Sequence, residues 1–362
     1  MFELSESDSL GDNKTPKVSF PITINHLNVL CGAPLQKTIL GQITQDDARI
    51  DLVVNNVSKS DCFFYGLNEV VEKLRQKILK ELNGEGFWVS DSGNVPMKSH
   101  NCFIVAKHPF ILAKRHRRQL AIFEIDGKPL IIGSLHMTAY EGKKYQDLRK
   151  SELSQIRHFL QQPEGCISVM SPLHKKTCRL IRDAVSKGNV FLTGDMNLHC
   201  LGETDIIYDN GFQDLWLDLN QLQEGFTWDA KSNPLIQMIL PLDNRRMRLD
   251  RMISLPPSPE SDFSAISLTI THKDRLEAIR ARVLCTHLCL SDHYGLSMTL
   301  AHRTRGYRQS SFNYWQNRQT IMSNRDSTLT GYRPMSRIIA YRVMVVMAVV
   351  IIVMALLKYV AC

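Results

Sequence analysis

Apolar runs that stop on a polar residue recur along this chain and set its plan. Asn189-Val190-Phe191-Leu192-Thr193 reads as a buried strand that delivers Asp195 and Asn197 at its carboxyl end. Pro21-Ile22-Thr23-Ile24-Asn25-His26-Leu27 runs into Asn28, Cys62-Phe63-Phe64-Tyr65-Gly66-Leu67-Asn68 into Glu69, and Pro129-Leu130-Ile131-Ile132-Gly133-Ser134-Leu135 into His136. Arg248-Leu249-Asp250-Arg251-Met252-Ile253 is strand-like and carries Asp250. Further strands are expected at 87–89, 101–106 and 119–125, the last turning at Asp126-Gly127 into the strand that ends on His136. Helical spacing lies between them. Val70, Leu74, Ile78 and Leu82 recur every four positions until Asn83-Gly84, and residues 145–160 and 175–186 form two more helices. Leu255-Pro256-Pro257-Ser258-Pro259 opens a long loop or insertion.

The polar residues at these strand ends form a chemical kit. In Gly194-Asp195-Met196-Asn197 a carboxylate and an amide stand two apart, which on an extended backbone turns both toward one pocket. Ser291-Asp292-His293-Tyr294-Gly295 sets a carboxylate beside an imidazole, the residue types needed for a metal ion and an acid–base group. Asn28, Glu69, His136 and Asp250 complete a set drawn from separate strand ends, the way an α/β scaffold assembles a site. Taken singly, each has a structural reading. Glu69 suits the first turn of the helix after it, Asp195 and Asn197 suit a turn, and Asp250 could pair with Arg248 or Arg251.

Taken in order, the set resembles the exonuclease–endonuclease–phosphatase superfamily over residues 18–302. The motifs are most similar to those of 5′-tyrosyl-DNA phosphodiesterases, through Leu67-Asn68-Glu69-Val70, Gly194-Asp195-Met196-Asn197-Leu198, Phe226-Thr227-Trp228-Asp229 with Asn233, Arg248-Leu249-Asp250-Arg251-Met252 and Ser291-Asp292-His293-Tyr294-Gly295-Leu296. Neutral sphingomyelinases are the second resemblance, and His199 echoes their version of the loop after Asn197. Asn68 departs from the family's Gln, and Asn28-Val29-Leu30-Cys31-Gly32 lacks the Trp-Asn start. The resemblance implies a four-layered α/β sandwich, two packed sheets flanked by helices. It also implies a phosphodiesterase using Mg2+, with Mn2+ as a substitute. Glu69, Asn28 and Asp292 would hold the metal. Asp195 would position or deprotonate the attacking water and Asn197 would donate to the pentavalent phosphorus. His293 would act as acid–base group or phosphate contact with its tautomer fixed by Asp250, and His136 would bind or protonate a phosphate oxygen. Trp228, Arg248 and Tyr294 would face the substrate, a DNA end or, alternatively, a phospholipid. A tethered binding module without turnover is a third reading, opposed by the intact polar set.

Composition adds the partners. The chain has 362 residues, a net charge of +8 and 44% hydrophobic residues, which is ordinary for a globular protein with a bias toward anionic partners. Nine scattered cysteines read as reduced thiols, and Cys285-Thr286-His287-Leu288-Cys289 lacks the spacing of a zinc site. Residues 1–17 read as a disordered lead and 303–337, with Arg303, Arg305, Arg308, Arg318, Arg325, Arg333 and Arg337, as a basic flexible linker. Lys114-Arg115-His116-Arg117-Arg118 reads as a solvated basic loop. Residues 343–357 contain no polar side chain and would reach about 22 Å as a helix. The flanks in 338–362 extend this toward the roughly 30 Å of a bilayer core, giving a C-terminal membrane anchor. More Arg residues precede it than follow, which orients the catalytic domain to the cytosol, on the endoplasmic reticulum or the mitochondrial outer membrane.

Overall fold

The computed structural model describes residues 1–9, 17–30, 46–91, 101–167, 172–199, 201–221, 223–280 and 287–303. In chain order the strands are β1 Glu3–Glu6, β2 Asp8–Ser9, β3 Ile22–Asn28, β4 Phe64–Val70, β5 Trp88–Val89, β6 Asn101–Ala106, β7 Ile111–Arg115, β8 Arg118–Ile125 and β9 Lys128–His136. They continue as β10 Val190–Asp195, β11 Gln213–Asp214, β12 Trp228–Asp229, β13 Arg246–Met247, β14 Asp250–Ser254, β15 Phe263–Thr271, β16 Leu276–Arg280, β17 His287–Leu288 and β18 Gly295–His302. The α-helices are α1 Asp46–Lys59, α2 Glu72–Glu81, α3 Lys143–Gln161, α4 Pro163–Cys166, α5 Pro172–Lys187, α6 Asp205–Asp209, α7 Leu215–Leu219 and α8 Pro234–Ile239.

Two seven-stranded mixed sheets dominate, ordered β1-β7-β8-β9-β10-β14-β11 and β15-β18-β3-β4-β6-β5-β2. Successive side chains on a strand point to opposite faces, so a strand buried on both faces is apolar throughout. In β10, Phe191 packs into the core between the sheets with Ile24, Phe64, Phe123 and Ile132. Its neighbour Leu192 packs the other way, with Leu153, Ile156 and Phe159 of α3 and Ile181 of α5. On the far side of the second sheet, Leu27, Leu67 and Phe103 meet Ile50 of α1 and Leu74 and Ile78 of α2. The result is an α/β sandwich with helices outside both sheets. The Asp126-Gly127 hairpin forms as expected, with both residues at positive φ and Ile125 paired to Lys128.

Three expectations need correction. Residues 1–9 are not a disordered lead. Glu3–Glu6 pairs antiparallel with β7, and Phe2 is fully buried and stacks on Phe159 with ring centroids 4.0 Å apart. Burying one aromatic side chain and completing a strand ladder offset the ordering entropy that a short polar segment otherwise loses. The basic run 114–118 is the β7–β8 hairpin rather than a free loop. Arg118 is buried with its guanidinium on the Glu152 carbonyl at 3.3 Å. The proline-rich stretch at 255–259 is no long insertion, because residues 255–262 simply join β14 to β15. Among the described residues no helix is long and apolar enough to cross a membrane. The linker beyond Arg303 and the apolar segment at 338–362 lie outside the described residues, as does Cys285. Among the described cysteines, Cys62, Cys102, Cys166, Cys178 and Cys289 form no disulfide.

Candidate active site

The carboxyl ends of the central strands converge where the two sheets meet. Asp195 ends β10 and stands in register with His136 of parallel β9 and Asp250 of antiparallel β14. The second sheet contributes Asn28 from the end of β3 and Glu69 from a register shift near the end of β4, where Glu69 takes φ 60°. Gly194 has φ 152°, and a side-chain carbon there would collide with the Leu135 backbone. Only glycine lets the β10 backbone approach β9 closely enough to hold Asp195 at this height.

The first group of side chains is Glu69, His136 and Asp195, whose ligand-type atoms lie within 4.8 Å of one another. His136 Nε2 is 3.8 Å from both Glu69 Oε1 and Asp195 Oδ2. Asn28 Nδ2 donates to Glu69 Oε1 at 3.2 Å and to Asp195 Oδ2 at 3.0 Å, while its Oδ1 accepts from the Leu30 amide at 3.2 Å. Burial pushes the Asp195 carboxyl up from its usual range, helped by Asp250 and Glu69 and opposed by His293 and His136.

The second group is Asp195, Asp250 and His293. His293 Nδ1 is 2.7 Å from Asp250 Oδ2, and its Nε2 faces Asp195 Oδ2 at 4.0 Å. Burial works against the Asp250 anion, but His293 and His26 overcome it and hold this carboxyl well below the usual range. An ionised carboxylate only accepts, so the facing ring nitrogens carry the hydrogens. Burial disfavours the His293 cation too, yet Asp250, Asp292 and Asp195 around it raise its pKa well above the ordinary value. Asp292, buried beside it, is pushed up to about 6 by burial and by Glu69. It belongs to neither close group among the described residues.

The loop bearing Asp292 and His293 is held by side chains rather than by a ladder. Ser291 Oγ donates to the Asn28 carbonyl at 2.6 Å, and Asn233 Nδ2 donates to the Ser291 and Asp292 carbonyls at 2.9 and 3.2 Å. Asn233 also caps α8 through the Leu235 amide.

The remaining candidates divide. Trp228 sits edge-on to His293 with centroids 5.2 Å apart. Asn197 lies past the end of β10 at φ 51°, so it is not carried on the same extended face as Asp195. Its amide Nδ2 donates to the Met137 carbonyl at 3.1 Å, and its backbone N–H donates to Asp195 Oδ1 at 3.0 Å. Arg248 does not point freely at the site, since both its terminal nitrogens engage the buried Asp214 carboxylate together with Arg251. The Tyr294 hydroxyl meets Ser232 Oγ at 3.0 Å, and the ring is buried. His199 is partly buried near Arg149 and Arg245, and that burial with those charges drives its pKa down to about 3. Two more residues join the site, Asn68, which the sequence marked only as a departure from the family's Gln, and His26, which it did not single out. Asn68 accepts the Asp195 amide at 2.9 Å while donating to Ser134 Oγ at 3.2 Å, and His26 Nε2 lies 2.8 Å from Asp250 Oδ1. The alternation of β3 could have flagged His26, because it shares a face with Asn28.

No protein-family model and no curated protein matches this sequence. The fold does match solved structures. D. rerio TDP2 complexed with a single-strand DNA product superposes with a TM-score of 0.52 at 16% identity, over 78% of this chain and 99% of that one. Beta toxin from Staphylococcus aureus gives 0.52 at 13% identity, over 76% and 99%. An endonuclease/exonuclease/phosphatase family protein from Bacteroides thetaiotaomicron gives 0.51 at 12% identity, over 78% and 98%. The chain therefore resembles these proteins in fold, and its strand-end acids and imidazoles lie together in that fold.

Proposed function

We propose that this protein is a metal-dependent phosphodiesterase that cleaves at a DNA end and is tethered to a membrane by residues 338–362. The observation that carries the enzymatic reading is the meeting of Glu69, His136, Asp195, Asp250 and His293 in two overlapping close groups at the seam of the sheets. Glu69, Asp292 and the Asn28 amide suit a hard divalent cation, because their donors are oxygens, and burial together with the Glu69 charge already pushes the Asp292 carboxyl up. Glu69 and Asp292 would hold Mg2+, or Mn2+ in its place. Asn28 would join them after its amide rotates, since its nitrogen now faces the carboxylates. When bound, the cation supplies neutralisation of the charge on the transferring phosphoryl oxygens.

The protein's own groups do the rest. Asp195, made more basic by burial, orients the attacking water and takes its proton. Protonated His293 donates to the leaving oxygen or a phosphate oxygen, with Asp250 fixing its tautomer. Asn197 keeps one amide hydrogen for an oxygen of the pentavalent phosphoryl group, and His136 offers Nε2 to a phosphate oxygen.

The net charge of +8 and the single-strand DNA product held by D. rerio TDP2 support a DNA end. A second reading, a neutral-sphingomyelinase-like lipid hydrolase, draws support from the apolar C-terminal segment and from His199. Burial leaves His199 uncharged beside the Asn197 loop, where a polyanion would favour a cation. The proposed domain plan is a catalytic domain through residue 302, a basic linker at 303–337 and the anchor, with the catalytic domain facing the cytosol on the endoplasmic reticulum or mitochondrial outer membrane.

The purified protein should be assayed with Mg2+ against 5′-tyrosyl single-stranded DNA, plain DNA, sphingomyelin and phosphoinositides, with and without EDTA. Cleavage of the tyrosyl DNA end that EDTA abolishes is expected. Choline-phosphate release without DNA cleavage hands the assignment to the lipid hydrolase, and no turnover on any substrate leaves only a binding module. The full chain should resist alkaline carbonate extraction from membranes, and extraction into the supernatant would sink the anchor.

A further inference from the structure

We infer that His26 is a positioning residue of this reaction, a second imidazole that pins Asp250 so that His293 presents Nε2 to the phosphoryl group. The inference rests on the proposed phosphodiesterase reading and deepens it.

His26 is fully buried, and its backbone is fixed in a central strand between Leu296 of β18 and Gly66 of β4. Its Nε2 donates to Asp250 Oδ1 at 2.8 Å across the gap between the sheets, while His293 Nδ1 donates to Oδ2 at 2.7 Å. The Asp250 backbone N–H is also held, by Thr227 Oγ1 at 3.0 Å. A carboxylate holding one imidazole can pivot about its terminal torsion, which is broad and soft. One holding an imidazole on each of its two oxygens strains both hydrogen bonds whichever way it turns. The plane of Asp250 is thereby fixed, and with it the ring of His293.

The other nitrogen of His26 supports a directional role. His26 Nδ1 is buried and has no hydrogen-bond partner. Leaving a buried polar atom unmatched is unfavourable, so an apolar side chain would serve better if packing were all that this position required. The imidazole therefore stands there for its Nε2–H. The outer partners that orient metal-bound imidazoles alter activity by about 10–100-fold when removed, and a group that orients a catalytic imidazole is expected to act on the same scale.

The test compares His26→Leu and His26→Gln with wild type, in the full chain, on bis(4-nitrophenyl) phosphate with Mg2+. His26→Leu should lower kcat by about 10–100-fold with KM within about two-fold. His26→Gln, whose Nε2 reaches a similar point, should recover to within about three-fold of wild type. In a His293→Ala background, His26→Leu should cost less than about two-fold more, because it acts through that ring. Equal losses in both backgrounds, or no rescue by Gln, would reduce His26 to a structural residue. A readout independent of turnover is the proton spectrum of histidine-labelled protein. Two far-downfield imidazole N–H resonances are expected, one of them lost in His26→Gln and the other retained. Their absence from wild type overturns this inference even if the enzyme is active. A wild type that shows both resonances but no phosphodiesterase activity overturns the proposed function instead.

Discussion

The two halves of the candidate site are built by different means. Glu69, His136, Asp195 and Asp250 stand on strands, and the positions of His136, Asp195 and Asp250 relative to one another follow from ladder register. Asp292 and His293 stand on a loop whose shape depends on Ser291 and Asn233. A ladder distributes its hold over many backbone bonds, so changing one side chain alters chemistry and leaves position intact. A loop clamped by single side chains loses position when one of them goes. The strand half should therefore fail in turnover alone, and the loop half in turnover and stability together.

The largest expected effect tests the strand half. Asp195→Asn keeps size and one of the two hydrogen bonds accepted from Asn28 Nδ2 and the Asn197 amide, but removes the charge that takes the proton. Turnover should fall by about 10³-fold while the melting temperature stays within a few degrees. Residual activity within a few-fold of wild type, measured on the best substrate of the panel, would refute the role assigned to Asp195.

Asn233→Ala tests the loop half. It removes two bonds to the Ser291 and Asp292 carbonyls and the cap of α8. A kcat loss of about 10–100-fold is expected together with about 1–3 kcal/mol of stability by denaturant unfolding. If turnover falls without any stability change, the contrast between the halves is wrong.

The smallest effect is a control away from the reacting groups. Asp218 on α7 is pushed up to about 6 by burial and by Asp214, and its Oδ2 has no hydrogen-bond partner. An unfolded aspartate titrates near 3.9, so between about pH 4 and 6 the unfolded state releases its proton first. Stability then falls as pH rises, with the full cost present above about 6. Asp218→Asn should raise stability by about 1–3 kcal/mol at pH 7.5, with little gain at pH 4 and kcat unchanged. A gain that does not depend on pH would point to packing rather than charge.

Much of the strand half was legible because local pattern reports it. An apolar run long enough to cross the core must emerge somewhere, and Asp195, Glu69 and His136 stand where those runs emerge. The Asp-Gly turn was equally local. What escaped depends on partners far away in sequence. Arg248 read as a substrate contact because its partner, Asp214, lies on a different element. His26 looked like one more strand residue, since Asp250 is 224 positions away. The first strand was missed because Glu3–Glu6 has no apolar rhythm of its own. Its order comes from Phe2 and a partner on α3 that no window around it contains.

One consequence follows from where the polar contacts cross. Asn28 to Asp195, Asn68 to the Asp195 amide, Asn68 to Ser134 and His26 to Asp250 each join one sheet to the other. The reactive centre is thus also a row of stitches at one rim of the sandwich, while close-packed apolar side chains fill the middle. A variant that replaces Asn28, Asn68 or His26 unpicks those stitches. Lineages that change specificity on this chassis should do so from the outer loops inward, leaving Asn28, Asn68 and His26 until last.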